Sequence, residues 1–219
     1  MDTDRLIRAL SENVEPVEVL DPPSVRAAWW ACAAGMYLVV LIVVVPPGVN
    51  PGSRLQDVRF LMEQSAALLT GVTAAFAALA SSVPGSRRNV VWLPIASALI
   101  WITLVGVGVL QDVHVSRVVL QTDWRCVPAT LIGATIPAAA IGLMLRRGVP
   151  LTPRVTAALA ALAATGVGNI GICFFHPHSS RLAVLVWHCG TVLVVAALAG
   201  MMGGQSWRWP TGRGAPVSR

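Results

Sequence analysis

Lysine is absent from this chain of 219 residues, and only 12% of its side chains are charged. That is about half the supply of an ordinary soluble domain. The length would easily bury a core, but so little polarity cannot cover a globule. A lipid-facing protein needs no such cover. With 55% hydrophobic residues and a mean hydropathy of +0.70, the chain reads as an integral membrane protein. All sixteen basic residues are Arg, which together with the Ala, Val and Gly content points to a GC-rich bacterial genome. They stand singly or in pairs beside apolar segments, as membrane-flanking anchors do. Direct binding to nucleic acid is therefore not expected.

Other absences narrow the function. No nucleophile–base pair, no facing carboxylates and no Gly-rich segment after a strand can be found, so enzymatic activity is not expected. A small multi-pass transporter or channel is the alternative class, and it would need ionisable groups deep in the spans. Glu63 near an interface and His188 are all the chain offers. Residues 1–25 lack the basic start and early apolar run of a signal peptide, and none is expected. No motif demands a cofactor.

Apolar runs long enough to cross a bilayer as helices lie near 26–45, 61–82, 90–110, 126–145, 155–175 and 182–203. Lipid offers no partners for free backbone groups, so the fold class is all-α, a polytopic bundle of six transmembrane helices. Stretches such as "PPGVNPGSR", "SVPGSRR" and "RRGVPLTPR" punctuate the spans. The second run is the weakest, and an interfacial position for Glu63 and Gln64 would keep both wet. Gly106, Gly108, Gly133, Gly142, Gly166, Gly168 and Gly171 are expected at close helix contacts. Pro94, Pro128 and Pro137 are candidate kinks. Three regions follow: a tail at 1–25, the bundle at 26–203 and a basic C-terminal tail at 204–219.

With six spans both termini share a side. Eleven Arg residues fall on that side and five (Arg54, Arg59, Arg117, Arg125 and Arg181) on the other. The positive-inside rule places both termini in the cytoplasm of a bacterial inner membrane. Six of the ten acidic residues lie in the first 25 positions, opposed only by Arg5 and Arg8. Leu6, Ile7, Leu10 and Val14 recur there at helical spacing, with Asp4 and Glu12 on the polar face. Pro16 is expected to end this helix. Some twelve residues are too few for a stable isolated helix, so the segment is expected to fold against a partner. Its negative charge keeps it off the anionic leaflet and suits a basic cytosolic protein.

Thiols and imidazoles gather on the opposite side. Cys126 opens the fourth span, Cys173, His176 and His178 close the fifth in "CFFHPH", and His188 and Cys189 lie a turn or two inside the sixth. His114 shares an outer loop with Asp112 and Asp123. Cys126 with His176, His178 or Cys173 could hold a soft metal such as zinc or cadmium, although the spacing matches no zinc signature. Alternatively, Cys126 and Cys173 could report redox state in an oxidising periplasm. Cys32 and Cys189 read as small packing residues, and His188 as a helix-packing group that needs some partner.

The stretches "DRLIRALSENVEPVEVLDPPSVRAAWW", "DVRFLMEQSAALLTGVTAAFAAL", "SVPGSRR", "LRRGVPLTPRVTAALAALAA" and "HPHSSRLAVLVWH" together resemble NrsF-type proteins. These are six-span bacterial membrane regulators of an extracytoplasmic-function sigma factor. The resemblance implies an anti-sigma factor whose N-terminal tail holds that sigma factor at the membrane. It further implies outer-face cysteines that release the partner under heavy-metal or oxidant stress. One such position corresponds to Cys126. At the second, before Pro177, this chain has His176.

Overall fold

The computed structural model describes residues 3–12, 20–45, 51–86, 88–114, 126–148, 151–175 and 181–206. Every regular element among them is helical. A short helix α1 (Thr3–Ser11) precedes α2 (Pro23–Val44), α3 (Pro51–Leu55) and α4 (Val58–Ala80). A single 3₁₀ turn (Arg88–Val91) leads into α5 (Trp92–His114), followed by α6 (Cys126–Arg146) and α7 (Pro153–Phe175). The last span starts as α8 (Arg181–Ala183), passes through a π-helical turn (Val184–Cys189) and continues as α9 (Gly190–Ser206). Six helical segments are long and apolar enough to cross a membrane: 23–44, 58–80, 89–113, 126–146, 153–174 and 181–204.

These bounds fall within three residues of those expected, and local chemistry sets the differences. Pro23 fits the first turn of α2, where its missing N–H costs no hydrogen bond. Asp57 caps α4, its Oδ1 accepting from the N–H groups of Arg59 (3.0 Å) and Phe60 (3.3 Å). The cap starts the second span at Val58, three residues early. Helix α1 spans Thr3–Ser11, and the Ser11 hydroxyl donates to Arg8 O; Pro16, where the helix was expected to end, lies outside the described residues.

Helix α7 is the centre of the bundle and packs most extensively against α9, α6 and α4. Small residues permit this. A Cβ on Gly168 would sit 2.7 Å from Ala134 N and 2.9 Å from Thr130 O, so α6 and α7 cross nearly backbone to backbone. Gly71 and Gly166 make the α4–α7 crossing, and Gly203 opposes Pro153 and Ala157 between α9 and α7. Two expected contacts do not form: Gly106 and Gly142 have no neighbouring atom within 4 Å of a would-be Cβ. Their faces of α5 and α6 are turned away from the crossings. Cys32 likewise faces outward instead of packing.

Hydroxyl and indole groups tie the helices where apolar packing alone would not fix them. Thr73 meets Ser97 at 2.9 Å between α4 and α5, and Ser81 meets Thr156 at 2.6 Å between α4 and α7. The buried Trp30 donates from Nε1 to Pro137 O at 3.0 Å, joining α2 to α6. Away from water each such bond removes a polar group that lipid cannot satisfy.

Candidate functional site

Two regions carry chemistry, one on each membrane face. On the face of the N-terminus, α1 presents Leu6 (43% exposed) and Ile7 (57% exposed) to the surroundings. Asp4 and Glu12 are exposed as well. A nine-residue helix thus leaves its apolar residues Leu6 and Ile7 open. The side chain of Leu10, and Val14 altogether, lie outside the described residues.

On the opposite face the chain ends of α4, α5 and α8 assemble an ionic cluster that sequence reasoning did not foresee. Arg181 Nη1 lies 3.1 Å from Asp112 Oδ1, and the Arg181 backbone N–H donates to Asp112 Oδ2 at 3.1 Å. Arg181 Nε is 3.7 Å from Glu63 Oε1, and Arg59 Nε is 3.6 Å from the same oxygen. Arg59 also donates to Gln111 Oε1. Gly108 leaves room for this cluster, because a Cβ would stand 2.3 Å from Arg181 Cδ and displace that side chain. Glu63 is therefore not the wetted interfacial residue expected. It is 8% exposed, and two guanidinium groups offset part of the cost of burying its carboxylate. The start of α4 is pinned by Phe60, which packs edge-on against Phe174 of α7 at 5.1 Å. The Arg54 guanidinium lies over the Phe60 ring at 5.5 Å.

Beneath this cluster sits a buried group of thiols, imidazole and amides. His188, on the π-helical turn, places Nδ1 2.5 Å from Asn169 Oδ1 and 3.8 Å from Cys173 Sγ. Asn169 and Cys173 are one turn apart on the same face of α7, so both address the same imidazole. With Asn169 Oδ1 accepting, the ring proton is on Nδ1 and the lone pair on Nε2. Gln64, adjacent to Glu63, interacts with the Cys173 thiol, and Cys126 and Cys189 lie within electrostatic range of it. Gly190 N–H reaches Leu185 O, five residues back, which defines the π turn carrying His188 and Cys189. Such turns are rare and recur at functional sites.

Cys173 and His188 are thus brought together and Cys126 is nearby. All four cysteines are thiols. His176 and His178 lie outside the described residues, as do Asp123 and the side chain of His114. Among the described residues no three His, Cys, Asp or Glu side chains converge as metal ligands. Cys173 Sγ and His188 Nδ1 stand 3.8 Å apart, near the ~3.6 Å between two donors of a tetrahedral zinc-like ion, and Nδ1 would have to pass its proton to Nε2 before it could serve as one. Asn169 was missed, although it is the one Asn within the six apolar runs. Its cost in lipid is the signal that could have found it.

A family model described as NrsF, negative regulator of sigma F, matches residues 10–209. No curated protein and no solved structure matches the chain.

Proposed function

The chain belongs to the NrsF family, negative regulators of a sigma factor, and from that premise we propose a two-sided device. It sequesters an extracytoplasmic-function sigma factor through its N-terminal tail. It lets that partner go when soft metal or oxidant acts on the Cys/His group of the opposite face. In this reading both termini are in the cytoplasm of a bacterial inner membrane, and the thiol–imidazole group lies toward the periplasm. The observation that carries it is the open apolar stripe of α1, with Leu6 and Ile7 exposed beside Asp4 and Glu12. An acidic amphipathic helix complements a protein that binds DNA through basic surfaces.

The sensing half rests on Cys126, Cys173 and His188, with His176 and His178 as further donors. A zinc- or cadmium-like cation would draw the His188 ring from Asn169 toward Cys173. An oxidant would instead convert a thiol to a sulfenic acid or join two cysteines. Either event displaces α7 relative to the π turn. Between Asn169 and Cys173, Gly171 of α7 packs against Leu38 and Leu41 of α2. The tail precedes α2 in the chain, so a movement of α7 has a mechanical route along the length of α2 to the partner-binding end.

Copurification of the cytosolic partner tests both halves. Deleting residues 3–12 should abolish it, and retention by the deleted chain would refute the tail as bait. Cadmium or peroxide should lower copurification by the intact chain. The C126S/C173S/H188Q variant should hold its partner through either treatment, and release from that variant would refute the sensor.

A further inference from the structure

At the face of the N-terminus, Arg26 is 6% exposed, although it lies on the first turns of a membrane-spanning helix. Its guanidinium donates to Met144 O on α6 at 2.5 Å and to Ser82 Oγ at 3.4 Å. These bonds hold it in place but supply no negative charge. Arg147, just past the end of α6, is exposed and close enough to Arg26 for the two cations to repel. Among the described residues neither guanidinium has a carboxylate within 4 Å. Asp21 exerts a longer-range attraction on Arg26 and shares its surroundings.

Between these groups lies an open-sided cavity of about 400 Å³. Its polar end holds Arg26, Arg147 and Asp21; its walls are Leu20, Trp29, Ala140, Leu143 and Met144. Trp29 and Leu143 are turned outward, where the bilayer would be. Ala140 on α6 precedes Arg147, just past its end, by seven residues, so the apolar wall runs about 10 Å from the charged end toward the membrane interior. A buried cation beside a second one at the membrane boundary is unfavourable unless an anion joins them. Two guanidinium groups and one carboxylate leave a single positive charge, which one phosphodiester neutralises.

We propose that this cavity is a binding site for the phosphate of an anionic phospholipid, held by Arg26 and Arg147. The acyl chain follows Ala140, Leu143 and Met144, and Trp29 stands at the headgroup level. Arginine pairs suit phosphate because their planar forks donate in parallel. Basic pockets between spans at the boundary of an anionic leaflet bind headgroups in this way. Leu20 and Asp21 lie just before α2 and its N-cap Pro22, so the lipid would also sit against the root of the partner-binding tail.

The test uses the full chain in nanodiscs of phosphatidylcholine containing phosphatidylglycerol, with retained lipid counted by native mass spectrometry. The wild type should retain one phosphatidylglycerol. Arg147→Gln should retain it about tenfold less well, since one charge-assisted phosphate contact is lost. Arg147 bonds no protein group among the described residues, so this variant keeps its fold, whereas replacing Arg26 would also free Met144 O and Ser82. Arg146→Gln, the neighbouring exposed cation, should behave as wild type. No retention by the wild type would overturn the proposal, and so would equal losses in the two variants, which would indicate general surface attraction. In phosphatidylcholine alone, millimolar inorganic phosphate should not reproduce the thermal stabilisation given by phosphatidylglycerol. Full reproduction would mean a free-anion site and would overturn the lipid assignment.

Discussion

Replacing Gly168 by Ala probes the crossing on which the central helix depends. The new Cβ would stand 2.7 Å from Ala134 N, 2.9 Å from Thr130 O and 3.0 Å from Gly133 C, all backbone atoms of α6. Ordinary contact begins at 3.4 Å, so the closest approach is short by about 0.7 Å (3.4 minus 2.7) and no flexible side chain can yield. The helices must part by a comparable distance. A gap of that size costs each facing atom pair about a quarter to a half of its ~0.1–0.2 kcal/mol. Over roughly thirty pairs the loss is about 1–2 kcal/mol, consistent with measured overpacking penalties. Alanine also favours a helix over glycine by about 0.5–1 kcal/mol, which would mask part of this. Gly142→Ala supplies the correction, because nothing lies within 4 Å of its Cβ and only the helix preference changes. Unfolding both variants in mixed micelles with increasing dodecyl sulfate should separate them by the full packing term. Stabilities equal within about 0.3 kcal/mol would mean that α6 and α7 do not meet at this point, and the central placement of α7 would fail.

Three further outcomes are expected. Arg181→Ala leaves Glu63 and Asp112 without their shared cation. Because the Arg181 side chain is 33% exposed, we expect a loss of about 1–2 kcal/mol rather than the larger cost of breaking a fully buried pair. Wild-type thermal unfolding of R181A would show the cluster to be ornamental. Asn169→Ala and His188→Ala should couple in a double-mutant cycle by at least about 0.6 kcal/mol, the usual worth of a hydrogen bond between spans. Additive effects would show that the 2.5 Å contact contributes nothing. Leu6→Asp or Ile7→Asp should weaken partner copurification by about tenfold or more while leaving the unfolding curve unchanged, since both side chains are exposed. A stability loss from either would mean that the stripe packs on the bundle instead.

The six spans were legible because hydrophobic length is the same signal in sequence and in lipid, and most edges were marked by Pro, Gly or Arg. The amphipathic tail helix was legible for the same reason, through its periodicity. What could not be read was which side chains on different spans would meet. Arg181 and Asp112 are 69 positions apart and looked like two unrelated loop charges. Only the packing of α8 against α5 joins them. Glu63 misled because a carboxylate near a span end is usually solvated, and its two Arg partners come from its own helix and from the sixth span. Cys173 and His188 were both picked out, but the amide between them was not, since a lone Asn carries no motif. The π turn has no sequence signature at all. The glycines were readable as a class but not one by one: those at 133 and 168 face each other, whereas those at 106 and 142 face away.

The packing also constrains how a signal could travel. Side-chain interfaces absorb small displacements by changing rotamers, but glycine crossings have no rotamers to change. The contacts of α7 with α4, α6 and α9 are of this second kind, with backbone atoms on at least one side. A push at Asn169 or Cys173 therefore cannot be dissipated locally. It must move α7 as a rigid rod of 23 residues or be resisted altogether. The π turn is the irregular element opposite it, with Gly190 N–H bonded to Leu185 O instead of following the α-helical ladder. Under the two-sided reading, a cation or oxidant at the thiol–imidazole group would act by changing the π turn against a stiff α7. Gly171 would then carry the displacement to Leu38 and Leu41, and through α2 to the tail. Gly171→Ala puts a Cβ 3.1 Å from Leu41 and 3.3 Å from Leu38, contacts that flexible side chains can relieve. It should therefore cost little stability yet shift partner release, measured as the cadmium concentration that halves copurification. An unchanged midpoint would remove α2 from the route.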